Sequence, residues 1–151
     1  MVFSIVSASF VFGSFMTLTR LPPVLVNWLL SLNVAPLAII LLILAFYIIM
    51  GTFLEPLPII FVTVPLLAPV VSALGYDLVW FAVLLNLMCL IGSLSPPFGN
   101  ILGHMKAAMG DETSMGEIIL SALPFMCIAI VFTIVCVLLP DIILLVPNSM
   151  Y

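Results

Sequence analysis

The 151-residue chain is 66% hydrophobic and 5% charged, with a net charge of −4. Soluble globular domains carry roughly 25% charged residues, so this composition excludes one and points to an integral membrane protein. Six acids stand against Arg20 and Lys106, with His104 neutral, which leaves nothing basic enough to hold nucleic acid.

Residues 1–34 read as a membrane helix followed by an interfacial arm. Residues 2–19 approach the roughly 20 needed to span hydrocarbon. Ser4, Ser7, Ser9, Gly13 and Ser14 along this run suit close helix packing better than ligand binding. No Lys or Arg precedes the run, which argues against a cleaved signal peptide, and its start looks like the interior of something longer. Arg20 and Pro22-Pro23 end the segment; residues 24–33, too short to cross, carry Asn27, Trp28 and Asn33 as an arm at the membrane surface.

Residues 35–76 contain two apolar runs joined at Glu55-Pro56. The first starts at Pro36, a favourable first helical position, and is long enough for a helix of good length. The second carries Pro58, Pro65 and Pro69 and is expected to be kinked or irregular, closing at Gly75-Tyr76-Asp77. By length, residues 36–74 fit either two full crossings or a re-entrant hairpin, and periodicity does not separate these. At a surface turn Glu55 is an ordinary solvated carboxylate; at a mid-membrane tip it needs a cation or a donor, with Gly51 and Thr52 beside it.

Residues 77–110 form one broken span, a helix over 78–94 and a shorter one over 101–109, interrupted by GSLSPPFGN at 92–100. Pro96 and Pro97 lack the amides that would bond the carbonyls of Gly92 and Ser93. An unsatisfied carbonyl in hydrocarbon costs several kcal/mol, so such a break survives where protein, water or an ion satisfies it. Gly99 and Asn100 let the chain turn and restart, with free amides and a positive dipole end aimed back at the gap. Discontinuous helices of this kind hold substrate and coupling ion in many secondary transporters. Asn86, Cys89 and Ser93 make a polar line leading into the break, and Asn100 and His104 share one face beyond it; His104 fits a helix-end residue better than a transport residue.

Residues 111–151 open with a polar loop in which Thr113 or Ser114 caps the next helix, a plain membrane span over 118–139, bent at Pro124. Pro140-Asp141 closes it, and the tail to Tyr151 fits an interfacial anchor. Cys89, Cys127 and Cys136 lie within apolar runs without metal spacing and read as buried free thiols. The sequence has no HExxH, no GxxxxGK[ST], no paired intramembrane aspartates and no serine-base arrangement, which argues against an enzyme and against ATP.

GTFLEPLPIIFVTVPLLAPVVSALGYD followed by FAVLLNLMCLIGSLSPPFGNIL resembles the C-terminal part of the TRAP transporter large permease subunit, DctM-like. The likeness rests on the acid-Pro tip at Glu55-Pro56, the two prolines of the second arm, the Gly75-x-Asp77 corner and the Pro-Pro-x-Gly break, in that order and spacing. It implies an all-α integral membrane fold, an ion-transporter-type half with a re-entrant helical hairpin and a discontinuous helix. It also implies sodium as coupling ion, at Thr52, Gly92, Ser93 and Ser95, within a site of Gly51, Thr52, Glu55, Gly92, Ser93, Ser95, Gly99 and Asn100. Small organic anions, of C4-dicarboxylate or sialic-acid type, are the implied substrates. The implied partners are a small membrane subunit, a periplasmic substrate-binding protein and an N-terminal half of the permease, in a bacterial inner membrane. Ser95 stands where the family usually has Thr, Glu55 where Asp is common and Phe98 where a smaller apolar residue is usual. Inverted-repeat transport needs two hairpin-and-break units and one is seen, so the chain alone is not expected to transport. The rival reading is a non-transporting membrane scaffold or truncated remnant, in which the helices serve assembly only.

Overall fold

The computed structural model describes residues 2–31, 34–96, 99–110 and 113–149. Asn33, Pro97, Phe98, Asp111, Glu112 and Tyr151 lie outside the described residues. The described elements are helices: α1 (Val2–Leu18), α2 (Leu21–Ser31), α3 (Pro36–Phe53), α4 (Pro56–Ala73), α5 (Leu78–Leu94), α6 (Asn100–Met109), α7 (Met115–Leu138) and α8 (Pro140–Ser149). The helices α3, α4 and α7 are each long and apolar enough to cross a membrane, and α1 and α2, bent by 66° at Arg20, pass the same test as one pair.

The core sits between α3 and α5. Ile40, Leu44 and Tyr47 make one stripe on α3, and Phe81, Leu85 and Cys89 the facing stripe on α5, all buried. Each stripe ends in a glycine, Gly51 on α3 and Gly92 on α5, so the two helices close on each other at their C-terminal ends. Polar pins fix the surrounding helices. The Tyr47 hydroxyl bonds Thr63 Oγ1, which itself donates to the Ile59 carbonyl at 2.6 Å, tying α3 to α4. Trp80 Nε1 donates to the Cys136 carbonyl at 2.9 Å, tying α5 to α7. Pro140 cannot supply the amide that an uninterrupted helix would direct at that same carbonyl, so the indole stands in for it. Tyr76 stacks on Trp80 with ring centroids 5.1 Å apart.

Several expectations are corrected in detail. The arm starts at Leu21 rather than 24, because Pro22 and Pro23 fall in its first turn, where no amide is needed. The second arm of the hairpin is one continuous helix through Pro65 and Pro69, not an irregular run. The tail after Pro140 is a helix whose Ile143 and Leu144 pack on the core.

Two of the loops are closed by side chains. Asp77 caps α5, accepting from the amides of Val79 at 2.7 Å and Trp80 at 3.1 Å. Ser114 and Glu117 form a reciprocal capping box at the start of α7. Lys106 Nζ donates to the carbonyls of Gly110 and Thr113, at 2.6 and 2.8 Å, placing a cation on the C-terminal end of α6 and holding the loop to α7.

Candidate functional site

The tip of α3 and the end of α5 meet backbone to backbone. A Cβ on Gly92 would lie 2.5 Å from the Ile48 carbonyl and 2.9 Å from Gly51 Cα; one on Gly51 would lie 3.0 Å from the Cys89 carbonyl. A Cβ at Gly51 would be a tight contact, whereas at Gly92 only glycine permits this approach. Its consequence is electrostatic as well as steric, since two helix C-termini, each with a partial negative charge, converge beside the break.

At the break, α5 ends by a tighter turn than the sequence implies. The Ser95 amide donates to the Gly92 carbonyl at 3.0 Å, so the first of the two carbonyls expected to lack a partner has one. Ser95 itself is extended, φ −78° and ψ 125°, the geometry favoured before proline. Gly99 folds back over the end: its amide donates to the Ser95 carbonyl at 2.9 Å, and a Cβ there would lie 2.7 Å from the Ser93 carbonyl. The chain re-enters a helix at Asn100, one residue earlier than the sequence suggests, with Gly99 at the cap position.

The candidate residues therefore separate into three groups. Gly51, Gly92, Ser93 and Gly99 are buried together where α3, α5 and the start of α6 meet. Thr52, Ser95 and Asn100 are half-buried around them. Glu55 is exposed at the turn between α3 and α4, at the cap position of α4, without a capping hydrogen bond from its side chain. The polar line into the break divides: Cys89 and Ser93 are buried, while Asn86 is exposed and donates to its own helix at the Ala82 carbonyl. His104 is exposed on α6.

The hydroxyl protons are directed to the helices that carry them. Thr52 Oγ1 donates to the Ile48 carbonyl at 2.9 Å and Ser93 Oγ to the Leu90 carbonyl at 2.8 Å. Each oxygen then presents only lone pairs to its surroundings. Among the described residues there is no cluster of three His, Cys, Asp or Glu that could hold a metal ion. The donors at the break are neutral hydroxyl and carbonyl oxygens, the set that discontinuous membrane helices offer to an alkali cation.

Trp80, Tyr47 and Lys106 carry these positions without having been singled out from the sequence, and Asp77, read there as a corner residue, is the cap of α5. The signals were present: an acid directly before an apolar run marks a cap, and Pro140 four residues after Cys136 marks a carbonyl in need of a donor.

The family model described as the DctM component of tripartite ATP-independent periplasmic transporters matches residues 1–142. Among curated proteins, the chain is 28% identical over 148 residues to the C4-dicarboxylate TRAP transporter large permease protein DctM of Pseudomonas aeruginosa, covering 98% of this chain and 34% of that one. It is 39% identical over 101 residues to the sialic acid TRAP transporter large permease protein SiaM of Vibrio cholerae, covering 67% and 23%. To the 2,3-diketo-L-gulonate TRAP transporter large permease protein YiaN of Escherichia coli it is 26% identical over 129 residues, covering 85% and 30%. The chain thus spans about a third or less of the length of these relatives. No solved structure matches it significantly.

Proposed function

The chain belongs to the DctM family, the large permease component of tripartite ATP-independent periplasmic transporters, and on that premise we propose that it supplies one hairpin-and-broken-helix unit of a sodium-coupled permease for small organic anions. The family is one of inner-membrane transport proteins rather than an enzyme class. In this proposal α3 and α4 are the hairpin, α5 and α6 the broken helix, and the sodium ion is held by oxygens of Thr52, Gly92, Ser93 and Ser95. Gly51 and Gly99 permit the close approach, and Glu55 and Asn100 stand at the edges of the site. A periplasmic binding protein delivers the substrate, and a small membrane subunit and the rest of the permease complete the machine.

The observation that carries the reading is the contact of Gly51 with Gly92. It brings two helix C-termini to one place, where a cation is favoured, and the amide end of α6 faces the same gap, where an anion is favoured. The relatives' names support the substrate class, since C4-dicarboxylates, sialic acid and 2,3-diketo-L-gulonate are all small organic anions. The test is uptake by the complete permease, with its partners, at varied sodium concentration. Thr52→Ala and Ser95→Ala should each reduce uptake and raise the sodium concentration needed for half-maximal rate. Unchanged rate and sodium dependence in both variants would show that these oxygens do not hold the ion.

A further inference from the structure

A cavity of about 480 Å³ opens between α3, α5 and α7, borders the Gly51–Gly92 contact at Ile48 and Ile91, and reaches Ser95 at the break. Its walls run along α3 from Leu37 to Ile48 and along α7 from Met126 to Leu138. By helical rise each wall is about 17 Å long. Ser95 and Thr133 are the polar residues in the lining, and the Thr133 hydroxyl is bonded to the Ala129 carbonyl at 2.7 Å.

We propose that this cavity binds one acyl chain of a membrane lipid, its end lying against the break at Ser95. The lining lacks any charged group, so it does not suit an organic anion. Water needs two to four polar partners, which an apolar lining does not offer. A volume of about 480 Å³ spread over that length leaves a cross-section about a third that of an α-helix with its side chains, so a helix from a partner does not fit. A single polymethylene chain does. The mouth is bordered by Leu41, Ile134 and Leu138, all exposed on helices long enough to cross the bilayer, so lipid reaches it directly.

The test uses the full 151-residue chain in phosphatidylcholine nanodiscs containing a minor fraction of phosphatidylcholine with a photoreactive group near the acyl terminus. Adduct positions are mapped by peptide mass spectrometry. The expected result is labelling at the inward Met88 and Met126 in addition to outward residues such as Leu42 and Phe132. Ile134→Trp, and independently Leu41→Trp on the opposite wall, should remove the inward adducts and preserve the outward ones. Preserved outward labelling shows that each variant is folded in the bilayer. Labelling confined to outward residues, or inward labelling indifferent to both substitutions, would overturn the proposal.

Discussion

Gly92→Ala tests the contact on which the site depends. A carbon packed against a carbonyl oxygen sits at about 3.3–3.6 Å, whereas the new methyl would lie 2.5 Å from the Ile48 carbonyl and 2.9 Å from Gly51 Cα. Both neighbours are backbone, so relief requires α3 and α5 to part by roughly 0.8 Å. Overpacking of this kind costs about 1–3 kcal/mol. Against it stands the gain of roughly 0.8–1 kcal/mol for alanine over glycine within a helix. The net expectation for Gly92→Ala is a loss of up to about 2 kcal/mol. Gly51→Ala meets its nearest atom at 3.0 Å and should come close to neutral. Gly103→Ala on α6 meets nothing within 4 Å and should stabilise by up to about 1 kcal/mol. Reversible unfolding in mixed micelles with increasing dodecyl sulfate, followed by circular dichroism, orders the three. Gly92→Ala as stable as Gly103→Ala would refute the reasoning.

Trp80→Phe removes the donor to the Cys136 carbonyl and should cost about 1–2 kcal/mol in the same assay. Adding Pro140→Ala to that variant restores an amide four residues on and should recover part of the loss; an equal benefit of Pro140→Ala in the unmodified chain would mean that the indole was not standing in for it. Tyr47→Phe breaks the pin between the hairpin arms, with an expected loss of about 0.6–1.7 kcal/mol, and an unchanged midpoint would show the pin to be idle. Ser114→Ala opens the capping box at about 1 kcal/mol, read as faster amide exchange at Glu117, and unaltered exchange there would count against the cap.

The helices were largely legible because hydrocarbon demands long apolar runs, and the punctuation between them is written in proline and glycine. Pro36, Pro56 and Ser114 each fall where a helix begins. What periodicity and spacing do not carry is partnership across helices, and only the family resemblance put Gly51 and Gly92 in one site. Composition gives Gly51 and Gly92 as small residues, and nothing in their spacing says that they touch. The Trp80 pin joins residues 56 apart in sequence, so no local pattern announces it. Cys89 and Asn86 share a helix line three residues apart, yet one is buried and the other exposed, because the boundary of the α3 contact runs between them.

The prolines show why one pair interrupts a helix and another does not. Pro65 and Pro69 are four apart, so the amides they remove would have met carbonyls of Phe61 and Pro65 on the same stripe, and all three residues are exposed. The ladder on the opposite face, where Ile59, Val70 and Val71 are buried, is untouched, and α4 continues from Pro56 to Ala73. Pro96 and Pro97 are adjacent, and successive residues stand about 100° apart around a helix. Their missing amides therefore fall on two faces at once, leaving no intact side to carry the helix forward. Ser95 is forced out of helical geometry, its amide closes back on Gly92, and Gly99 supplies the only kind of residue that fits against the Ser93 carbonyl. Whether proline breaks a membrane helix here is decided by its phase relative to 3.6 residues per turn. The phase at 96 and 97 ends α5 beside its convergence with α3, whereas the phase at 65 and 69 leaves a helix that packs along α1.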